Sequence, residues 1–525
     1  MLETILKYPL SFVLSLCLLL FLAAGTFFGS AYVSIHDISF FLITAILALL
    51  QKSTLQKFLV FLLSLFLLGV YLLLEFPPLY LMITELFMLA FCCFLRQFHK
   101  SFVLFSILAS AFFCHLFYIQ TIPVNQYQHD LNGILVYMNM ISLHGVNWKY
   151  FNPWSMYYLF HQPLLFLIQA SLYHFSLDIW NSATLAQETL QYLSLFFVTG
   201  TTVITAAILK ELKLSSRLYY FALILFTFNP TLFLFSGYIS DDTSVLFWGC
   251  CVIYFTIKWF NTEKTRYIIL CAVCFALGVL TKLSLLMLVP ALAFMFLYKL
   301  FSKKFSRLIW FDLNLFIIIA VPLALSWIVR NHILFDMQFY NVPDTSPNGQ
   351  NFYNLSFSDR VFDFSQLFIP FIQAPDVVDA NMWLALIKTE LFGEWNMAFK
   401  KTSLIYPIFF LYFLNVILKI FVFGSLCCLL YKTFRQKIAF NPIFFFFAIL
   451  YSTLWCYSFK YALDYPYVCS SDFRLFALLM IPEIAILSFA LDKFFCASQQ
   501  KKANFLLAFS VIYSVLACIV YTYGL

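Results

Sequence analysis

The sequence predicts an all-α polytopic membrane protein, a bundle of roughly 13–15 transmembrane helices with amphipathic interfacial helices in its outer loops. Three observations carry this. Charged residues make up 10% of the chain, against about 25% in a soluble domain. Mean hydropathy is +0.91. Apolar runs of helix-spanning length recur along the chain, separated by short basic turns. With 63% hydrophobic residues, most of the surface cannot be meeting water, so soluble and nucleic-acid-binding classes are excluded. The 69 Phe are a membrane signature, since bulky rings pack against lipid and against each other.

A helix needs about 20 apolar residues to cross the hydrocarbon core. Such segments run near 8–28, 36–50, 58–75, 79–95 and 102–120, then near 187–209, 217–236, 243–260, 266–281, 284–301 and 308–328, and finally near 404–430, 440–457, 474–491 and 503–523. The first has no clear small-residue cleavage site and reads as a retained helix. Basic residues set the orientation. With the N-terminus in the cytoplasm, the inner turns hold Lys52 and Lys57, Arg96 and Lys100, Lys210 and Lys213, Lys258 and Lys264, Lys299 and Lys303, Lys432 and Arg435, and Lys501 and Lys502. Residues 1–100 then form an N-terminal extension of about four helices, and 101–525 form the main module.

Two long non-spanning stretches, 121–186 and 330–403, fall on the outer face. Loops of that length in a compact protein are usually functional or disordered, and their Trp, Tyr and Phe content argues against disorder. The first contains Gln128-His129-Asp130, followed by Leu131, Ile134, Leu135, Met138 and Ile141 at helical spacing. That pattern is an amphipathic helix opened by Asp130. An Asp there either caps free N–H groups or does chemistry, and spacing leaves both open. His161-Gln162-Pro163 begins another helix, with an aromatic belt as the alternative reading.

Asp241 and Asp242 mark the outer start of a span. They would coordinate a divalent cation, orient a polar substrate, or cap the helix that follows. Lys282 sits in a bend, Arg330-Asn331 ends a span, and Asp472-Phe473-Arg474 begins one. Ionisable groups at membrane depth cost roughly 2.5–3.5 kcal/mol and so mark polar sites. Snorkelling explains each cation singly, but three aimed at one leaflet fit a phosphate-bearing lipid better. The 14 Cys form no metal-binding pattern, and Cys271 with Cys274 reads as core.

These stretches together resemble the GT-C fold membrane glycosyltransferases, and within them the polyprenyl-phosphate-sugar-dependent enzymes related to protein O-mannosyltransferases. The resemblance rests on His129-Asp130, His161-Gln162-Pro163-Leu164, Ser236 to Asp242, Gly278 to Ser284, Trp327 to Asn331, Lys388 to Glu394, and Asp472-Phe473-Arg474, in order over roughly 102–490. It implies an inverting, mannosyltransferase-like enzyme moving a sugar from a polyprenyl-phosphate donor to a hydroxyl on a protein, glycan or lipid acceptor. Asp130 would be the catalytic base, and Arg330, Lys282 and Arg474 would bind the donor phosphate. His129, His161, Gln162, Asp241 and Asp242 would line the substrate site. A divalent cation at Asp241 and Asp242 is permitted and not required. A bacterial inner membrane or an endoplasmic reticulum membrane would house it. The alternative is a transporter or flippase of lipid-linked sugars, but nearly every ionisable residue sits at a span end and not midway through a helix.

Overall fold

The computed structural model describes residues 100–337, 356–372, 379–394, 404–465, 468–494 and 500–523. The four spans expected before residue 100, and parts of the 330–403 loop, lie outside them. The chain divides into two compact units, Met1–Thr121 and Ile122–Leu525. The described part of the first is one apolar helix, α1 (Lys100–Thr121). Everything below concerns the second.

The secondary structure of the second unit is helix, with no strand among the described residues. Its outer loop folds first, as α2 (Leu131–His144) and α3 (Leu164–Trp180). Then come α4 (Ala183–Glu211), α5 (Ser216–Thr227), α6 (Pro230–Gly237), α7 (Asp241–Thr262) and α8 (Thr265–Val279). Helices α9 (Val289–Ser302), α10 (Arg307–Phe335), α11 (Phe357–Phe362) and α12 (Met382–Phe392) follow. The chain closes with α13 (Ile405–Phe434), α14 (Pro442–Asp464), α15 (Met480–Phe494) and α16 (Gln500–Cys518). Among the described residues of the whole chain, nine helices are long and apolar enough to cross a membrane, or ten if the pair α5 and α6, bent by 42°, counts as one span. The protein is thus a multi-pass integral membrane protein.

Each span expected from residue 102 onward is helix. Helix α8 is shorter than a full crossing, and a 3-10 stretch (Leu283–Leu288) joins its bend to α9. Helix α10 runs on past Arg330-Asn331 to Phe335, so that pair lies within its last turns and does not end it.

Starts follow cap chemistry. Ser182 Oγ accepts from the Leu185 N–H at the head of α4, and Asn381 Oδ1 accepts from the N–H groups of Trp383 and Leu384 at the head of α12. Pro442 sits in the first turn of α14, where its missing N–H costs nothing, and Asn441 caps it. The core is built by α7 against α4 and α8, α8 against α10, and α3 against α4 and α2.

The outer loop is a packed layer and not a loose segment. Ile134 and Met138 of α2 are buried, with Leu131, Leu135 and Ile141 beside them, against Phe151, Leu159, Phe166, Leu190 and Trp327. The apolar stripe read from the sequence is therefore taken up by the protein's own core. Burying each large side chain contributes about 1.5–3 kcal/mol, so this cluster fixes the loop that carries His129 and Asp130.

Candidate active site

The site begins where α2 begins. Asp130 precedes α2 with a left-handed backbone (φ 58°), and its side chain makes no cap bond; only its carbonyl accepts, from the Ile134 N–H. A non-glycine residue in that conformation costs stability and persists only when its surroundings fix it. Gln128 does the fixing. Its Nε2 donates to the Gly237 carbonyl at 2.8 Å, and its Oε1 accepts from the Ile239 N–H at 2.9 Å. The loop is thereby pinned to the turn between α6 and α7. Capping, one of the two readings of Asp130, is not what its carboxylate does.

That carboxylate is half exposed, and its Oδ2 lies 3.4 Å from both terminal nitrogens of Arg474. Arg474 reaches further. Its Nη1 is 3.4 Å from Asp242 Oδ2, and its Nε donates to Asp472 Oδ2 at 3.0 Å. The backbone helps, since the Arg474 N–H donates to Asp472 Oδ1 at 3.0 Å.

The paired aspartates are not caps either. Ser240 supplies the cap, its Oγ accepting from the Asp242 N–H at 3.1 Å. Both carboxylates instead take the Lys282 ammonium, at 2.9 Å for Asp241 and 2.5 Å for Asp242. Lys282 thus occupies the place that a cation between the two would take. His161 approaches from the other side, Nδ1 to Asp241 Oδ2 at 3.5 Å. Gln162 is buried and accepts from the Leu283 N–H at 3.1 Å, while the Leu164 N–H donates to the Leu280 carbonyl. The His161-Gln162 segment and the Lys282 bend are therefore one structural unit.

His129 is buried, with Nδ1 3.5 Å from Glu394 and Nε2 3.7 Å from Asp472. Burial and the nearby Arg474 and Lys282 charges hold its pKa well below the ordinary value, so the imidazole is neutral. Burial also pushes the Glu394 and Asp472 carboxyls up. Neither acid was assigned a role from the sequence, although each stands in a stretch that carries the family resemblance. Asp472 had one usable signal, its place two residues before Arg474.

Arg330 stands apart from this cluster. Its guanidinium donates to the carbonyls of Trp148 and Phe151 and to Asn331 Oδ1, and it lies over the rings of Trp327 and Phe335 at 4.3 and 4.5 Å. It holds the outer loop to α10. The structure thus brings together Asp130, Arg474, Asp242, Asp241, Lys282, His161 and His129, with Gln162 bonded to the same bend, and places Arg330 elsewhere. A small cavity of about 20 Å³, room for about one water, lies beside Asp242 and Arg474 among Val245, Leu246, Met287, Leu454 and Leu478.

Residues 158–335 match the family model of dolichyl-phosphate-mannose-protein mannosyltransferase. The resemblance drawn from the motifs is borne out. The matched stretch holds His161, Gln162, Asp241, Asp242, Lys282 and Arg330, while His129, Asp130 and Arg474 lie outside it. A glycosyltransferase using a lipid-phosphate-linked sugar is favoured over a flippase. No curated protein matches the chain. Among solved structures, ArnT from Cupriavidus metallidurans in the apo state aligns at 13% identity over 75% of this chain and 72% of that one, with a TM-score of 0.30. The same protein bound to undecaprenyl phosphate aligns at 14% identity over 81% and 78%, with a TM-score of 0.35.

Proposed function

We propose that this protein is an inverting glycosyltransferase that moves a sugar from a polyprenyl-phosphate donor to a hydroxyl acceptor on the outer, periplasmic or lumenal, membrane face. The observation that carries the reading is Asp130. It is an uncapped, half-exposed carboxylate in a pinned left-handed conformation, 3.4 Å from a guanidinium at the edge of a buried charged cluster.

The chemistry needs a base and a stabilised leaving group. The acceptor hydroxyl gives its proton to the Asp130 carboxylate as its oxygen bonds to the anomeric carbon. The bond from that carbon to the phosphate oxygen breaks, and its electron pair leaves with the phosphate. Attack from the face opposite the phosphate inverts the centre. Arg474 and Lys282 take up the charge growing on the phosphate. The long contacts of Arg474 to Asp130 and Asp242 leave its fork free to reorient toward phosphate oxygens. Asp241 and Asp242 hold Lys282 in place, and His161 steadies Asp241. Arg330 acts on the reaction through the loop it anchors. The polyprenyl tail enters from the membrane, and the N-terminus of the chain lies in the cytoplasm.

The test is transfer in vitro, with purified wild type and Asp130→Asn given radiolabelled polyprenyl-phosphate sugars and membrane extract as acceptor. Transfer by wild type that collapses in the variant, with donor binding retained, supports the reading. Donor binding without transfer by either protein, across several donors, supports the flippase instead.

A further inference from the structure

We propose that His129, Glu394 and Asp472 form a binding site for one divalent transition cation. One donor atom from each of the three lies within 4.8 Å of the others, and the three come from segments far apart in the chain. That spacing lets one cation reach all three. A tetrahedral cation with bonds of about 2.1 Å holds its ligand atoms about 3.5 Å apart. Here Nδ1 of His129 stands 3.5 Å from Glu394 Oε2, and the ring's other nitrogen, Nε2, stands 3.7 Å from Asp472 Oδ2, so the ring lies between the two carboxylates and offers one nitrogen to a shared ion. These separations are too long for good hydrogen bonds.

A second observation is independent of that spacing. Glu394 Oε1 is shut off from solvent and has no hydrogen-bond partner among the described residues. Such an atom is costly unless something cationic or protic meets it.

Five carboxyl groups, those of Asp130, Asp241, Asp242, Glu394 and Asp472, stand around two cations, Lys282 and Arg474. A dication would hold Glu394 and Asp472 as carboxylates. One imidazole with two carboxylates suits manganese or zinc better than magnesium or calcium, which prefer oxygen alone. Asp472 is already oriented by two bonds from Arg474, the backbone N–H to Oδ1 and Nε to Oδ2, and outer partners orient metal ligands in this way. The cation would sit on the residue before Asp130 and on the residue two before Arg474. Its place in transfer rests on the function proposed above, whereas its binding does not.

Binding is therefore measured without transfer. Metal-stripped full-length protein in detergent is titrated with MnCl2 and followed by electron paramagnetic resonance. One saturable ion per chain is expected, with a nitrogen coupling from a bound imidazole. His129→Asn should abolish that coupling. Glu394→Gln should weaken binding by at least about tenfold, the smaller end of what even outer partners contribute. Asp336→Asn should bind as wild type does. Absence of saturable binding, absence of nitrogen coupling in wild type, or unchanged binding in folded Glu394→Gln overturns the site. If a variant fails to fold, the nitrogen coupling of wild type alone decides. Transfer that fails while manganese binds refutes the proposed function and leaves the site standing.

Discussion

The guanidinium of Arg474 lies 3.4 Å from the carboxylate of Asp130, a residue 344 positions earlier in the chain. The same guanidinium meets Asp242 at 3.4 Å and Asp472 at 3.0 Å. It ties the proposed base to the buried turn at the head of α7. The Asp130 side chain is half exposed and caps nothing, so folding should not depend on it. Asp130→Asn should lower transfer about 10²–10⁴-fold, the usual contribution of a positioned base. Its melting point should stay within what a change of about 0.5 kcal/mol allows. Transfer rates and thermal unfolding of the same preparation check this. A variant that is inactive and also unstable would assign Asp130 a structural role.

Lys282 makes the opposite prediction. Its ammonium bridges Asp241 and Asp242, whose side chains are almost wholly buried. Removing it as Lys282→Met leaves two buried carboxylates against each other. Breaking a buried pair from one side costs about 3–5 kcal/mol. Adding Asp241→Asn should return part of that loss, since one uncompensated charge is gone. Thermal melts of the single and double variants test it. A single variant as stable as wild type would mean that Lys282 is held by neither aspartate.

The spans from residue 102 onward were legible because their causes are local. About 20 apolar residues suffice to specify a crossing, and Ser182, Asn381 and Asn441 cap their own helices. Asp241, Asp242, Lys282 and Arg474 were legible for a related reason, since charge at a span end is rare and visible. Arg330 looked the same in sequence, but the structure places it apart from the cluster. Its partners are backbone carbonyls at Trp148 and Phe151, which leave no trace in the identity of any residue. Glu394 and Asp472 were missed as partners of His129 because only tertiary folding brings three such distant segments together. Gln128 was passed over as well, since its two bonds go to backbone atoms of the 237–239 turn.

Arg330 can be tested against the role first expected of it. A lysine keeps the charge but lacks the planar fork that serves two carbonyls and stacks on rings. Arg330→Lys should therefore loosen the 148–151 segment, and limited proteolysis near Tyr150 should accelerate while donor affinity changes little. A sharp loss of donor affinity with unchanged proteolysis would return Arg330 to the phosphate.

A second charged centre supports the first from below. Lys419 of α13 meets Glu390 of α12 at 2.7 Å and Glu483 of α15 at 2.5 Å, and all three are buried. Asn415 and Asn229 donate to the Glu390 carboxylate at 2.9 and 3.2 Å. Glu390 adjoins Thr389, whose Oγ1 accepts from the Phe473 N–H at 2.8 Å, directly beside Asp472 and Arg474. The network therefore fixes the helix that holds the site's arginine segment. Lys419→Met leaves two buried carboxylates without their cation and should cost about 3–5 kcal/mol. Lys419→Met combined with Glu483→Gln should recover much of the melting temperature, because the repulsion is removed and the volume is kept. Melting curves in detergent fix the stability, and transfer assays on the double variant fix the coupling. Recovered melting with recovered transfer would make the triad a matter of stability alone. Recovered melting without transfer would show that Lys419 also sets the position of Arg474.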